Sequence, residues 1–291
     1  MLLAINGTGI AIAASGGSKL WLLALLLLAI ATSFAAERIL PYREDWNTPH
    51  DDDRRDAAHA AVNESLTLIN LAIVPALTAL IPFDGVWPTA WPFVLQVLLA
   101  VLVADLGLTL MHLASHKIPT LWRLHAVHHS AKRAYGFNGL MKHPLHQLLE
   151  TAAGFAPLIL LGLPTTVAYA VALCAAVQLL LQHSNADYRV GPLRAVLALN
   201  QAHRFHHLKW AGIGDVNFGL FTLIWDHLLG TYSYDPERRF SSDDLGMAAK
   251  PHYPNSYLAQ LAEPFRPSGA CVAEEPRPGT TAERTLDSPP R

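Results

Sequence analysis

Charge is scarce in this chain and cysteine nearly missing. Asp, Glu, Lys and Arg make up 15% of the 291 residues, where a soluble domain carries about 25%. No Lys/Arg-rich block is present, which excludes a nucleic-acid partner. Cys174 lies in an apolar run and Cys271 near the C-terminus; they form neither a C-x-x-C pair nor a disulfide framework, so sulfur neither ligates nor staples. The first eighteen residues lack a basic region and contain Asn6, Gly7, Gly9, Gly16 and Gly17, so a cleaved signal peptide is not expected. The H-E-x-x-H of a zinc protease and the paired Glu-x-x-His of soluble di-iron bundles are both missing. So is any haem or flavin fingerprint.

What the chain does have is apolar length. Leu20–Ala36 and Leu66–Pro82 run without a charge. Trp91–Met111 is broken only by Asp105, Leu148–Leu163 only by Glu150, and Thr165–Leu181 not at all. Crossing hydrocarbon takes roughly 17–25 helical residues, so five spans are predicted, the last two joined as a hairpin by the turn "GLPT". The fold class is all-α, a multi-span membrane bundle with a cytoplasmic histidine-rich helical cap. The Glu37–Ser65 loop carries Arg38, Arg43, Arg54 and Arg55, and the stretch from His112 to Gln147 carries five more cations, whereas Phe83–Pro92 carries none. Five spans put the cationic segments on one side, the cytoplasmic one by the positive-inside rule. Three regions follow: 1–90 with the first spans, a histidine-rich core over 91–250, and a disordered tail over 251–291 rich in Pro, Gly and charge.

Histidine is the anomaly. The chain has 15, most of them between His112 and His207. "LHAVHHS" presents His125, His128 and His129; "AHRFHHL" repeats H-x-x-H-H with His203, His206 and His207; and His112 and His116 precede them as H-x-x-x-H. At i, i+3, i+4 spacing these rings share one helical face and can grip an ion. His183 stands where the fifth span ends, and His143 and His146 precede the fourth. A lone histidine on an apolar helix is ordinarily a satisfied core residue; a repeated pattern is a metal signal. Eight or more imidazoles exceed one zinc site, so two ions are the simpler count. Imidazole suits Zn, Cu, Fe and Ni alike.

The segments "LMHLASHKIPTLWRLHAVHHS", "KHP", "LQHSNAD", "HRFHH" and "DVNFG…WDHLLGTY" together resemble the fatty acid hydroxylase/sterol desaturase superfamily over roughly Leu98 to Tyr234. The resemblance implies a di-metal centre of two Fe, with O₂ as co-substrate and two electrons from a separate reductase or small electron carrier, acting on a lipid within the membrane. By position it implies His112, His116, His125, His128, His129, His183, His203, His206 and His207 as ligands, with His143 as a further ligand or a supporting group. The chain departs from the pattern in three places. His146 stands where an acid often follows "HP", with Glu150 four residues later; His227 replaces a frequent Arg; and no extra histidine lies near Gln178 or Gln182.

Asp105, an ionisable group inside a span, is costly and functional by default. It stands seven residues before His112 and is expected to accept a hydrogen bond from a ligand histidine. Asp187, Asp215 and Asn217 are expected to support the ligands in the same way, and Trp122, Trp210 and Trp225 to anchor at the interface. The reading is lipid hydroxylation. Desaturation by the same centre, a histidine-rich metal transporter and a membrane zinc hydrolase using Glu150 are the alternatives.

Overall fold

The structure is a computed structural model and describes residues 2–80 and 85–267. Among these, helices are the only regular elements. Cys271, the end of the span expected at Pro82 and the tail from residue 268 lie outside the described residues.

Four helices are long and apolar enough to cross a bilayer: α2 (Lys19–Ile39), α3 (Asp53–Ala79), α4 (Phe93–Lys117) and α7 (Thr165–His183). α1 (Leu2–Ala14), 13 residues long, lies against α7. The expected fourth span, Leu148–Leu163, is corrected to α6 (Pro144–Leu160), a helix of 17 residues that starts four residues earlier and ends three earlier. It starts early because His143 caps it, Nδ1 accepting from the Leu145 N–H at 3.2 Å, and because Pro144 fits the first helical turn. It ends at Gly162, whose φ of 84° a side chain would strain.

The turn joins α6 to α7, yet α6 packs on α4 and α3 rather than along α7. Its seam with α4 is built on Gly107 and Gly154: a β-carbon at Gly107 would collide with the Ala153 carbonyl. Such close backbone approach is how helices associate where lipid offers no hydrophobic drive. Only 17% of the spanning windows of α2 and α3 is buried, against 61% of α7. α7 is therefore the core helix, while α2 and α3 turn Leu20, Leu27, Leu68 and Ile69 outward, as a lipid-facing surface requires.

At one end of the bundle sit α5 (Pro119–His129), α8 (Asn200–His206), α9 (Ile224–Leu229) and α10 (Tyr257–Ala262). A buried ion cluster ties this end to α3. Arg133 donates to Asp52 at 2.6 and 2.8 Å and to the Trp46 carbonyl, and Asp56 accepts from Tyr135 and Asn138. Residues 251–267 fold, contrary to the expected tail. Gln260 on α10 is fully buried, takes a hydrogen bond from His59 Nε2 at 2.8 Å and donates to the Pro254 carbonyl at 2.8 Å. Those buried polar contacts anchor a segment whose composition alone reads as solvated.

Candidate metal centre

The ends of four helices deliver the histidines. α4 supplies His112 and His116 from its last turns, and α5 supplies His125, His128 and His129. α7 ends on His183, and α8 brings His203 and His206, with His207 one residue beyond. The rings fall into two adjacent groups, His112, His116, His125, His129 and His206 in one, and His128, His183, His203 and His207 in the other. Within each group the ligating atoms lie within 4.8 Å of one another. The i, i+4 pairs 112/116, 125/129 and 203/207 each stay within one group. His128 rotates off the 125/129 face and joins the second. All nine are buried or nearly so.

The hydrogen bonds decide which nitrogen faces inward. His112 Nδ1 donates to the Phe218 carbonyl at 2.8 Å, His206 Nδ1 to the Val216 carbonyl at 2.9 Å and His128 Nδ1 to the Met141 carbonyl at 3.2 Å. His116 Nδ1 donates to Asp215 at 2.9 Å. A carbonyl can only accept, so the proton sits on Nδ1 and each Nε2 is a bare lone pair. The Nε2 atoms of the two groups converge: that of His112 lies 3.0 Å from His125 Nε2, that of His116 3.1 Å from His129 Nε2, and that of His203 3.0 Å from His207 Nε2. His206 Nε2 is fully buried with no partner. Buried lone pairs facing one another are unstable unless a cation lies among them. The donor set fits metal ions, and the fixed tautomers are what ligation requires.

Burial, reinforced by the crowding of the imidazoles, which disfavours a charge on any one of them, holds His125, His128, His129, His203 and His206 well below the ordinary imidazole value and His207 at about 3. These rings are neutral at physiological pH, ready to bind a metal without first losing a proton. Asp215 is buried enough to be pushed up, but its hydrogen bonds from His116 and Lys117 win and hold it at about 2.

The supporting residues divide. Asp215 does touch a ring, as expected. Asp105 does not: it accepts four hydrogen bonds from residues 220–222, three from the N–H groups of Leu220, Phe221 and Thr222 and one from the Thr222 hydroxyl, at 2.7–3.0 Å. It fixes the loop whose Phe218 carbonyl orients His112, so its effect on the ring is indirect. Asn217 also misses the rings. At φ 55° it bonds Ala202 and Ser233, bracing the loop between Val216 and Phe218. Asp187 is exposed and contacts no histidine through its side chain among the described residues. Chain proximity to His183 was a poor guide because the backbone turns away to pair with Leu40.

His143 is spent elsewhere. Its Nδ1 caps α6 and its Nε2 donates to the Leu261 carbonyl at 3.2 Å, outside both groups. His146 takes the place expected of it. Its ring lies 4.6 Å from that of His125, and its Nε2 donates to the Ser115 hydroxyl at 2.9 Å, since that hydroxyl's own proton goes to Met111. Its Nδ1 faces Glu150 Oε1 at 3.7 Å, and Glu150 binds Lys142 at 2.5 Å. The sequence analysis noted His146 and Glu150 only as a departure from the family pattern and did not place them at the centre, although H-x-x-x-E with an acid inside an apolar run was a visible signal. Trp122 packs against the first group, its ring 5.0 Å from that of His116 and 5.2 Å from that of His129. Gln178 and Gln182 donate to the Ala198 and Gly219 carbonyls, holding the loops instead of a metal.

A membrane helical bundle with a two-group histidine centre defines the class. The fatty acid hydroxylase family profile matches residues 97–231, and the chain belongs to that family. It is similar to an ornithine lipid hydroxylase of Rhizobium tropici, 35% identical over 86% of this chain and 77% of that one. It is also similar to an alkylglycerol monooxygenase of Danio rerio, 24% identical over 64% of this chain and 44% of that one. A methylsterol monooxygenase of Gallus gallus is 28% identical over 38% of this chain and 36% of that one. No solved structure matches the chain.

Proposed function

We propose that this chain is an integral membrane lipid hydroxylase with two irons, one per histidine group, its centre facing the cytoplasm and its electrons supplied by a separate reductase or small carrier. The observation that carries the reading is the convergence of buried imidazole nitrogens, with the Nδ1 protons of His112, His116, His128 and His206 tied outward. Family membership and relatives named as hydroxylases and monooxygenases favour lipid oxidation over metal transport or zinc hydrolysis. The cationic loops at the histidine end support the orientation.

His112, His116, His125, His129 and His206 would hold one ion, and His128, His183, His203 and His207 the other. Iron there supplies activation of O₂ with two electrons, for the balance R–H + O₂ + 2e⁻ + 2H⁺ → R–OH + H₂O. The protein's own share is positional. Asp215 and three backbone carbonyls fix the ring tautomers, while Trp122 and Phe218 pack against the rings and exclude water. An apolar cavity of about 290 Å³ among α3, α6 and α7 ends on Lys142 and Glu150, beside His146 and so one ring from His125. It is placed to bring a lipid C–H towards the centre.

Protein purified without oxygen and supplied with ¹⁸O₂, a reductant and membrane lipid extract tests the reading. Two irons per chain and a product carrying one labelled oxygen are expected. A product lacking two hydrogens and free of label would make it a desaturase, and zinc with no oxygen consumption would remove the oxidase reading altogether.

A further inference from the structure

The reading above leaves one ionisable group unused. Glu64 sits on α3, inside a candidate spanning segment, and among the described residues it makes neither a hydrogen bond nor an ion pair. A carboxylate in that position is costly and calls for a partner.

Its surroundings say what that partner is. Glu64 lines the cavity of about 290 Å³ among α3, α6 and α7. It also lines a second one, of about 360 Å³, between α2, α3 and α7. Glu64, Leu140, Ala176 and Leu179 belong to both, so the two grooves meet there. The second groove has no other ionisable residue in its wall; the first adds only Lys142 and Glu150, which pair with each other at 2.5 Å. Two apolar grooves therefore join at one unpaired carboxyl, near the bundle end that carries the histidines: the adjacent Asn63 donates to the Leu140 and Lys142 carbonyls at 2.7 and 2.9 Å. Met141 between them accepts from His128.

Resting on the hydroxylase reading, we propose that the substrate is a two-chain lipid whose headgroup carries a cationic amine, that Glu64 binds the ammonium, and that the two chains lie in the two grooves. A carboxylate is a charge-assisted acceptor for an ammonium, and the contact is stronger at a dry boundary than in water. A neutral headgroup offers Glu64 only the weaker contact of an uncharged donor, and an anionic one is repelled.

The test separates recognition from turnover. Full-length protein, loaded with zinc so that no oxidation occurs, is offered a two-chain lipid built on ornithine with its side-chain amine free, and the same lipid with that amine acetylated. Lipid retained per chain is measured by native mass spectrometry. Wild type is expected to retain the free amine at least roughly tenfold better. Glu64→Gln should bind the two alike with its metal content unchanged, and Glu64→Asp should keep part of the preference. Ala61→Phe, which fills only the α2-side groove, should weaken the two-chain lipid more than its single-chain analogue. Equal retention of both lipids by wild type, a measurement that needs no variant, overturns the proposal, as does a preference that survives Glu64→Gln. If the amine lipid binds selectively but the iron-loaded enzyme does not oxidise it, the recognition stands and the hydroxylase reading falls. If a neutral lipid is oxidised while the amine shows no preference, the reverse holds.

Discussion

Replacing Asp215 by asparagine keeps the shape of the side chain and removes its charge, isolating what that charge does for one of the two ions. Asp215 accepts from His116 Nδ1 at 2.9 Å and from Lys117 Nζ at 2.9 Å. The Lys117 side chain is 60% exposed and the Asp215 side chain 19%, so the His116 contact carries most of the effect. A hydrogen bond to a charged group contributes about 1.5–3 kcal/mol, which is roughly a 10–100-fold change in affinity when it is the partner of a metal-bound imidazole. His116 belongs to the first group alone, so the loss should be confined to one ion. Protein loaded anaerobically with Fe(II) is dialysed against a graded series of chelator strengths and its iron counted. In Asp215→Asn one ion should leave at roughly 10–100-fold weaker chelation, while the other leaves where it does in wild type. Lys117→Gln should shift the first step much less. Two ions that leave together at the wild-type point would refute the reasoning.

Further outcomes follow from the same geometry. His128→Ala and His206→Ala should each abolish product formation and lower iron content, while His50→Ala and His252→Ala, which lie outside both groups, should do neither; metal analysis beside a turnover assay checks this. Arg133→Met leaves the buried Asp52 carboxylate only Arg55, at 3.9 Å, and the His50 N–H and should cost about 3 kcal/mol, seen as a lowered melting temperature in detergent. Burial opposes ionisation of Asp52, but Arg133 wins and holds its carboxyl below the ordinary value of 3.8. Its stabilisation is therefore complete above about pH 4 and lost as pH falls through the lowered value; an acid melt in which Arg133→Met and wild type lose stability in parallel would contradict the assignment. Asp105→Asn, which weakens four hydrogen bonds to residues 220–222, should loosen that loop and reduce iron in the first group; faster amide exchange there, with α7 unchanged, is the readout.

The bundle and the nine rings were legible in the sequence because both are periodic. Apolar runs of helix length and histidines at i, i+3, i+4 are local patterns that tertiary packing did not override. How the rings divide was not legible. His125, His128 and His129 look like one triplet, yet helical rotation sends His128 to a different partner set. The supporting groups were harder still, since their partners come from distant segments: Asp105 serves residues 115–117 positions away, and Asp187, close to His183 in the chain, serves no ring. The length of α6 depended on a histidine cap and a glycine turn, which hydropathy does not register. Residues 251–267 looked solvated because the two polar groups that anchor the segment, His59 and Gln260, pair with each other out of sight of composition.

Three of the rings are aimed by main-chain oxygens, those of Met141, Val216 and Phe218. An amide carbonyl is the same acceptor whatever residue owns it. Substitution at Met141 or Val216 can therefore change the side-chain packing behind the rings while the imidazoles keep their aim. That separates what must stay fixed here, the path of the main chain, from what is free to vary, the side chains it carries.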